Sequence, residues 1–265
     1  MATATSTPVL ETRGISKRFG AVQALTDVAF DVYPHEVVGL VGDNGAGKST
    51  LIKCVAGIQP IDAGEILFEG RPVHIGGPRD AVALGIQTVY QDLALCDNLD
   101  VVANLYLGRE ATQARMLDEV AMEKRAISVL RSLSVSIPSV RTLIASLSGG
   151  QRQSVAVARS VMGNPKLVIL DEPTAALGVV QTSQVLDLIR RLREQGLGVI
   201  VISHNLEDVF SVVDRITVLR LGRNAGTFLV AGVSHEQVVA AITGAEFGGR
   251  EMEHAGATAN GGAAP

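Results

Sequence analysis

The sequence has few of the residues that staple small or secreted folds: two cysteines, Cys54 and Cys96, among 265 residues. Two thiols cannot build a disulfide framework or a four-ligand zinc site. Tryptophan is absent and aromatics make up 3%, too few for the stacking platforms that grip single-stranded nucleic acid. A cationic excess is missing as well. Lys and Arg total 23 against 27 Asp and Glu, a net charge of −4 with pI ≈ 5.8, whereas nucleic-acid binders are usually basic. No nucleic-acid partner is therefore expected. Long hydrophobic runs are also lacking. Mean hydropathy is high at +0.29, yet the longest apolar runs, 167–170 and 199–202, have the length of buried strands, not of membrane spans. The opening MATATSTPVLETRG has no basic stretch leading into an apolar core, so no secretory leader is expected. These absences favour the cytoplasm, while the hydropathy leaves room for a surface that docks on something.

What is present is enough to fold. Hydrophobic residues are 47% and charged residues 19%, and the length suits one large domain or two small ones. Short strands are expected at 9–13, 37–41, 66–68, 88–90, 167–170, 199–202 and 216–219. Helical patterns follow Gly47 (stopped by Gly57 and Pro60) and recur at 118–133, 148–162, 180–193 and 206–213. Strands alternating with helices predict an α/β fold with a mostly parallel sheet covered on both faces. The mainly helical stretch 92–163 interrupts the alternation and reads as an inserted subdomain. After about Phe247 the tail GGREMEHAGATANGGAAP is Gly/Ala-rich and is expected to be disordered. The chain has no internal repeat.

Two motifs carry phosphate chemistry. The first is Gly42-Asp43-Asn44-Gly45-Ala46-Gly47-Lys48-Ser49-Thr50, between an expected strand and helix. Its glycines let backbone N–H groups turn inward around phosphate oxygens, Lys48 neutralises the β- and γ-phosphates, and Ser49 can bind Mg²⁺. The second is the apolar strand 167–170 followed by Asp171 and Glu172. At that exit Asp171 would hold the metal through water, and Glu172 could orient and deprotonate an attacking water.

A third motif, Leu147-Ser148-Gly149-Gly150-Gln151, opens a helix with a hydroxyl and two glycines, a second anion-binding arrangement and an ordinary N-cap at once. With these motifs in this order, residues 8–245 resemble the ATP-binding cassette ATPases, the motor subunits of ABC transporters. The resemblance implies a P-loop NTPase core at about 8–91 and 164–245, an N-terminal antiparallel β portion, and a helical subdomain at about 92–163 inside a unit ending near 247. It implies that Ser148 and Gly150, with Gly149 and Gln151 beside them, contact the γ-phosphate held by another subunit's phosphate loop. It makes His204 the residue that senses the γ-phosphate, and Gln91 the link from metal and water to the helical subdomain. Phe19 falls where the family has an aromatic that stacks on adenine, and Val22 would line the same pocket. One departure stands out: the family usually has Ser-Ala-Leu-Asp after Asp171-Glu172-Pro173-Thr174, and here Ala175-Ala176-Leu177-Gly178 cannot supply that carboxylate.

The family contains transporters, chromosome and DNA-repair proteins, and translation factors. The 57 residues from Gln91 to Ser148 leave no room for the long coiled coil of the second class, and a single cassette separates the chain from the third. Residues 90–95, 98–105 and 171–178 resemble bacterial monosaccharide importers. That implies an ATP- and Mg²⁺-dependent homodimer on the cytoplasmic face of an integral membrane permease, fed by an extracytoplasmic solute-binding protein. An importer ATPase for another small solute, and a soluble non-transport ATPase, are the alternatives. By the same resemblance the apolar stretch 92–107 forms a groove for a short permease helix, unless its side chains only fill the subdomain's own core. Cys54 reads as a buried hydrophobe. His35, His74, His235 and His254 read as surface residues.

Overall fold

The computed structural model describes residues 7–113 and 116–245. The expected tail 248–265 lies outside the described residues. In chain order the elements are β1 (Leu10–Phe19), β2 (Val22–Val32), β3 (Val37–Val41), α1 (Lys48–Val55), β4 (Ala63–Phe68), β5 (Arg71–Val73), α2 (Pro78–Leu84), β6 (Ile86–Val89), α3 (Val101–Tyr106), β7 (Thr112–Gln113), β8 (Met116–Leu117), α4 (Glu119–Ser132), α5 (Gly149–Val161), β9 (Leu167–Asp171), α6 (Val179–Glu194), β10 (Gly198–Ile202), α7 (Leu206–Val212), β11 (Arg215–Arg220), β12 (Arg223–Leu229) and α8 (His235–Thr243).

The main sheet runs β12-β11-β3-β10-β9-β6, parallel except for the antiparallel edge strand β12. Its central strands read VVGLV, LVILD and GVIVI because both faces are covered. Alternate residues divide between two cores. Leu40, Ile169 and Ile200 pack towards α1 and the antiparallel β2-β1-β4-β5 sheet. Val41, Val168 and Val199 pack towards Val155 of α5 and Val185 of α6. At an upper-bound value of roughly 2 kcal/mol per buried Val, Leu or Ile, these two layers dominate the fold's stabilisation.

Between β6 and β9 the chain is less helical than its pattern predicts. Residues 90–100 form a loop, α3 spans only six residues, and a two-stranded ribbon, β7-β8, follows. Buried Asn104 supplies the loop backbone with side-chain partners in place of helical ones: its Oδ1 accepts from Cys96 N–H (2.7 Å) and its Nδ2 donates to the Cys96 and Asp100 carbonyls (3.0 and 2.9 Å). Several expected elements shift too. The first strand runs to Phe19 instead of ending at 13, and β6 ends at Val89, leaving Tyr90 outside it.

Candidate active site

The phosphate motif forms the turn between β3 and α1. A Cβ on Gly42 (φ 149°) would collide with the Leu219 carbonyl, and one on Gly47 (φ 102°) would come within 2.9 Å of the Ala24 carbonyl. Glycine is therefore required at both, because β11 and β2 press on the loop from behind. Gly222 relays this packing: its N–H donates to the Ala46 carbonyl (3.1 Å), and its carbonyl accepts from Thr26 N–H (2.8 Å). Gly47 caps α1 without a side-chain bond, which leaves the helix's first N–H groups directed at the loop's concave side. Lys48 Nζ donates to the Gly42 and Asp43 carbonyls at 2.6 and 3.0 Å. Burial lowers the Lys48 pKa, and Glu172, Asp43 and Asp171 oppose that shift.

Asp171 ends β9, and Glu172 follows in a left-handed conformation (φ 50°), its N–H held by the Ile202 carbonyl at 2.9 Å. A non-glycine residue there is strained, and such strain collects at functional sites. Burial raises the Asp171 pKa and neighbouring Glu172 raises it further, against the pull of Lys48 and Lys53. His204 Nδ1 lies 2.9 Å from Glu172 Oε2. One cavity of about 460 Å³ gathers Gly42, Asp43, Asn44, Gln91, Glu172 and His204, a volume in the range of small-molecule sites. Leu206 and Ile242 also line it. Sequence spacing could not single them out, since each reads as an ordinary apolar helix position.

Ser148 caps α5 in a reciprocal box with Gln151: Ser148 Oγ accepts from Gln151 N–H, and Gln151 Oε1 accepts from Ser148 N–H at 3.0 Å. Neither Ser148, Gly149, Gly150 nor Gln151 lines the phosphate cavity within this chain. Phe19 and Val22 face each other at the β1–β2 turn, 43% and 65% exposed, with Lys17 Nζ 5.5 Å from the Phe19 ring centre. They too stand outside that cavity. Ser49 is exposed at the start of α1, and Thr50 is partly buried beside it. Gly178 caps α6 with no side-chain bond. Cys54 is buried, and burial pushes its thiol pKa up to about 11, which keeps it inert. His35, His74 and His235 are exposed, with His235 stacked on Phe210 at 3.8 Å; His254 lies outside the described residues.

The donor set suits a nucleotide with Mg²⁺. One carboxylate, one hydroxyl and one amide (Asp171, Ser49 and Gln91) resemble the sparse protein ligation of an ion that keeps waters and phosphates as its other ligands. A phosphate-cradling turn after a parallel strand, with an acidic strand exit beside it, defines a P-loop nucleoside triphosphatase. The comparisons narrow this. The family model for the ABC transporter matches residues 25–175. The fructose import ATP-binding protein FrcA of Rhizobium meliloti is 45% identical over 252 residues, 92% of this chain and 97% of that protein. The xylose/arabinose import ATP-binding protein XylG of Sulfolobus acidocaldarius is 47% identical over 215 residues, 81% of this chain and 86% of that protein. Among solved structures, the ADP conformation of MJ1267, an ATP-binding cassette of an ABC transporter, superposes with a TM-score of 0.77 at 26% identity, over 89% of this chain and 95% of that one. The chain belongs to the ABC transporter family as one of its ATP-binding ATPases.

Proposed function

We propose that this chain hydrolyses ATP to drive import of a monosaccharide. In this reading it works as a homodimer on the cytoplasmic face of an integral membrane permease that a solute-binding protein supplies. The observation that carries the hydrolytic part is Glu172 in one cavity with the phosphate loop, Gln91 and His204, with His204 held 2.9 Å from the Glu172 carboxylate. The fructose and xylose/arabinose import relatives support the sugar. Among the described residues no helix is long and apolar enough to cross a membrane, so the permease supplies the path.

In this mechanism the backbone N–H groups from Gly42 to Thr50 cradle the phosphates, and Lys48 shifts from the Gly42 and Asp43 carbonyls to the β- and γ-oxygens. Phe19 stacks on the adenine, with Val22 beside it. Ser49, Gln91 and, through water, Asp171 would hold Mg²⁺, which neutralises phosphate charge when bound. Glu172 takes the proton of the attacking water, and His204 both orients Glu172 and contacts the γ-phosphate. Ser148 through Gln151 close over the phosphates of the second copy. The stretch 92–163 acts as a helical arm, hung on Gln91, that carries the permease contact, with the core at 8–91 and 164–245. Buried Val101, Val102 and Leu105 fill that arm's own core, so docking falls to its exposed rim.

The test is Glu172→Gln. ATPase should fall by roughly 10²–10⁴-fold while nucleotide still binds. Mg²⁺ and ATP should then dimerise the variant in sedimentation, and adding Ser148→Arg should abolish that dimer. Near-native turnover would remove Glu172 from the role of base. Stimulation by DNA or ribosomes in place of permease and sugar would overturn the transport reading.

A further inference from the structure

Helix α8, the last described element, is fastened at both ends. At its start Ser234 and Gln237 form a reciprocal cap, and the His235 ring stacks on Phe210 of α7 at 3.8 Å. At its end Gly244 turns left-handed (φ 75°), where a Cβ would run into the guanidinium of Arg220 at the end of β11. One residue earlier in that strand, the Leu219 carbonyl backs Gly42 of the phosphate turn. Between the two ends Val238 and Ala240 are buried, and Ile242 packs, half-buried, on the same core as Leu206 and Phe210 of α7. Ile242 and Leu206 both reappear in the wall of the phosphate cavity, with His204 and Glu172.

His204 stands two residues before Leu206, between the end of β10 and Asn205, the cap of α7. Its ring is three-quarters exposed, and its one side-chain hydrogen bond among the described residues is to Glu172. A single bond fixes the distance of an imidazole and leaves its tilt free, so the backbone that carries the ring must supply the rest. We infer that Ile242 is a positioning residue for hydrolysis: set from α8 into the cavity wall that Leu206 also lines, it braces the start of α7 and so fixes where the His204 ring stands. The inference rests on the reading of His204 as the residue that orients Glu172 and contacts the γ-phosphate. An apolar side chain suits this work, because packing sets a position without competing for the phosphate or the water. Isoleucine is branched at Cβ and stiff at χ1, so it passes on the position of its helix instead of yielding. Turnover then depends on how the last helix is seated, although that helix supplies no group to the chemistry.

The test uses the full chain with Mg²⁺ and ATP. Ile242→Ala should lower kcat about tenfold, since an ångström of misplacement costs up to about 10²-fold, while KM and ADP affinity stay within about twofold of wild type. Ile242→Met, of similar volume, should keep most of the wild-type kcat. The comparison that separates positioning from stability is made in a His204→Ala background, by single-turnover hydrolysis. There Ile242→Ala should cost nothing further, because no ring is left to place, whereas a merely structural loss would repeat in both backgrounds. Should Ile242→Ala not fold, Ile242→Val, one methylene smaller, should lower kcat about threefold and again cost nothing beside His204→Ala. Equal losses in both backgrounds, a loss carried by KM, or wild-type kcat for Ile242→Ala overturns the inference alone. Near-native turnover of His204→Ala overturns it together with the reading of His204.

Discussion

Asn104 carries a prediction that connects a buried amide to catalysis. The side chain is fully buried and makes four hydrogen bonds to the backbone of residues 96–100. Replacing it with leucine keeps the volume and removes all four. Three of the partners keep another donor: the Cys96 carbonyl has Leu99 N–H (3.1 Å), the Leu99 carbonyl has Ile144 N–H (3.0 Å), and the Asp100 carbonyl has the helical N–H of residue 104 (3.0 Å). Only Cys96 N–H is orphaned. An unsatisfied buried donor costs about 1–3 kcal/mol; Cys96 is half-buried, and the low end, ~1 kcal/mol, corresponds to a fall in Tm of about 2–4 °C for a domain of this size. Asn104→Asp should be worse, because it keeps the Cys96 bond but sets a carboxylate against three carbonyl oxygens. Urea and thermal unfolding of the nucleotide-free chain give both values. Because the loop begins at Gln91, both variants should lower kcat more than nucleotide affinity. The reasoning fails if Asn104→Leu unfolds within about 0.5 kcal/mol of wild type, the usual spread of neutral surface changes, or if Asn104→Asp is the more stable of the two.

Two further outcomes follow from ion pairs. Lys17, itself buried, and Arg18 N–H both bond Asp62 at 2.7 Å, and the Lys17 bond, with the Arg18 bond behind it, holds the Asp62 pKa below its ordinary value. The carboxylate therefore stabilises the fold above about pH 4 and stops doing so as pH falls through its lowered pKa. The Tm gap between wild type and Asp62→Asn should be full at pH 7 and close in acid, and a gap that widens in acid would reverse the sign. Arg215 bridges Asp31 (3.0 Å) and Glu36 (2.9 Å), so Arg215→Met should cost about 3 kcal/mol by stranding two acids. Adding Asp31→Asn and Glu36→Gln should recover most of that loss in denaturant titrations.

The phosphate turn, the acidic strand exit and the capped helix at Ser148 were legible because each couples a local backbone need to a distinctive residue order. Strands β9, β10 and β3 were legible because burial on both faces writes continuous apolar runs. What escaped was written weakly or from afar. Helix α2 buries one residue, Ala81, so no periodicity marks it, although Pro78 at its start and Gly85 at its end are proper punctuation. Helix α8 announces itself only through the box of Ser234 with Gln237. Asn104 was invisible because searching for a core selects apolar residues, and a buried amide is recognised only by the backbone it satisfies. The Ser148 segment stays out of the phosphate cavity of its own chain.

The sheet order also governs when the nucleotide grip can come into being during synthesis. Strand β3, which launches the phosphate turn, lies between β10 and β11, both from the last third of the chain. The turn's rear support, Gly222, comes later still, and Asn224 ties β2 down through two bonds to Ala29 that span 195 residues. A nascent chain therefore leaves the ribosome with its most nucleotide-specific sequence early and no means to hold it. The apolar VVGLV strand must wait unpaired, which makes folding slow and exposes the chain to aggregation until the ending arrives. Nucleotide held by the completed turn would stabilise the finished sheet over the unfinished one by mass action.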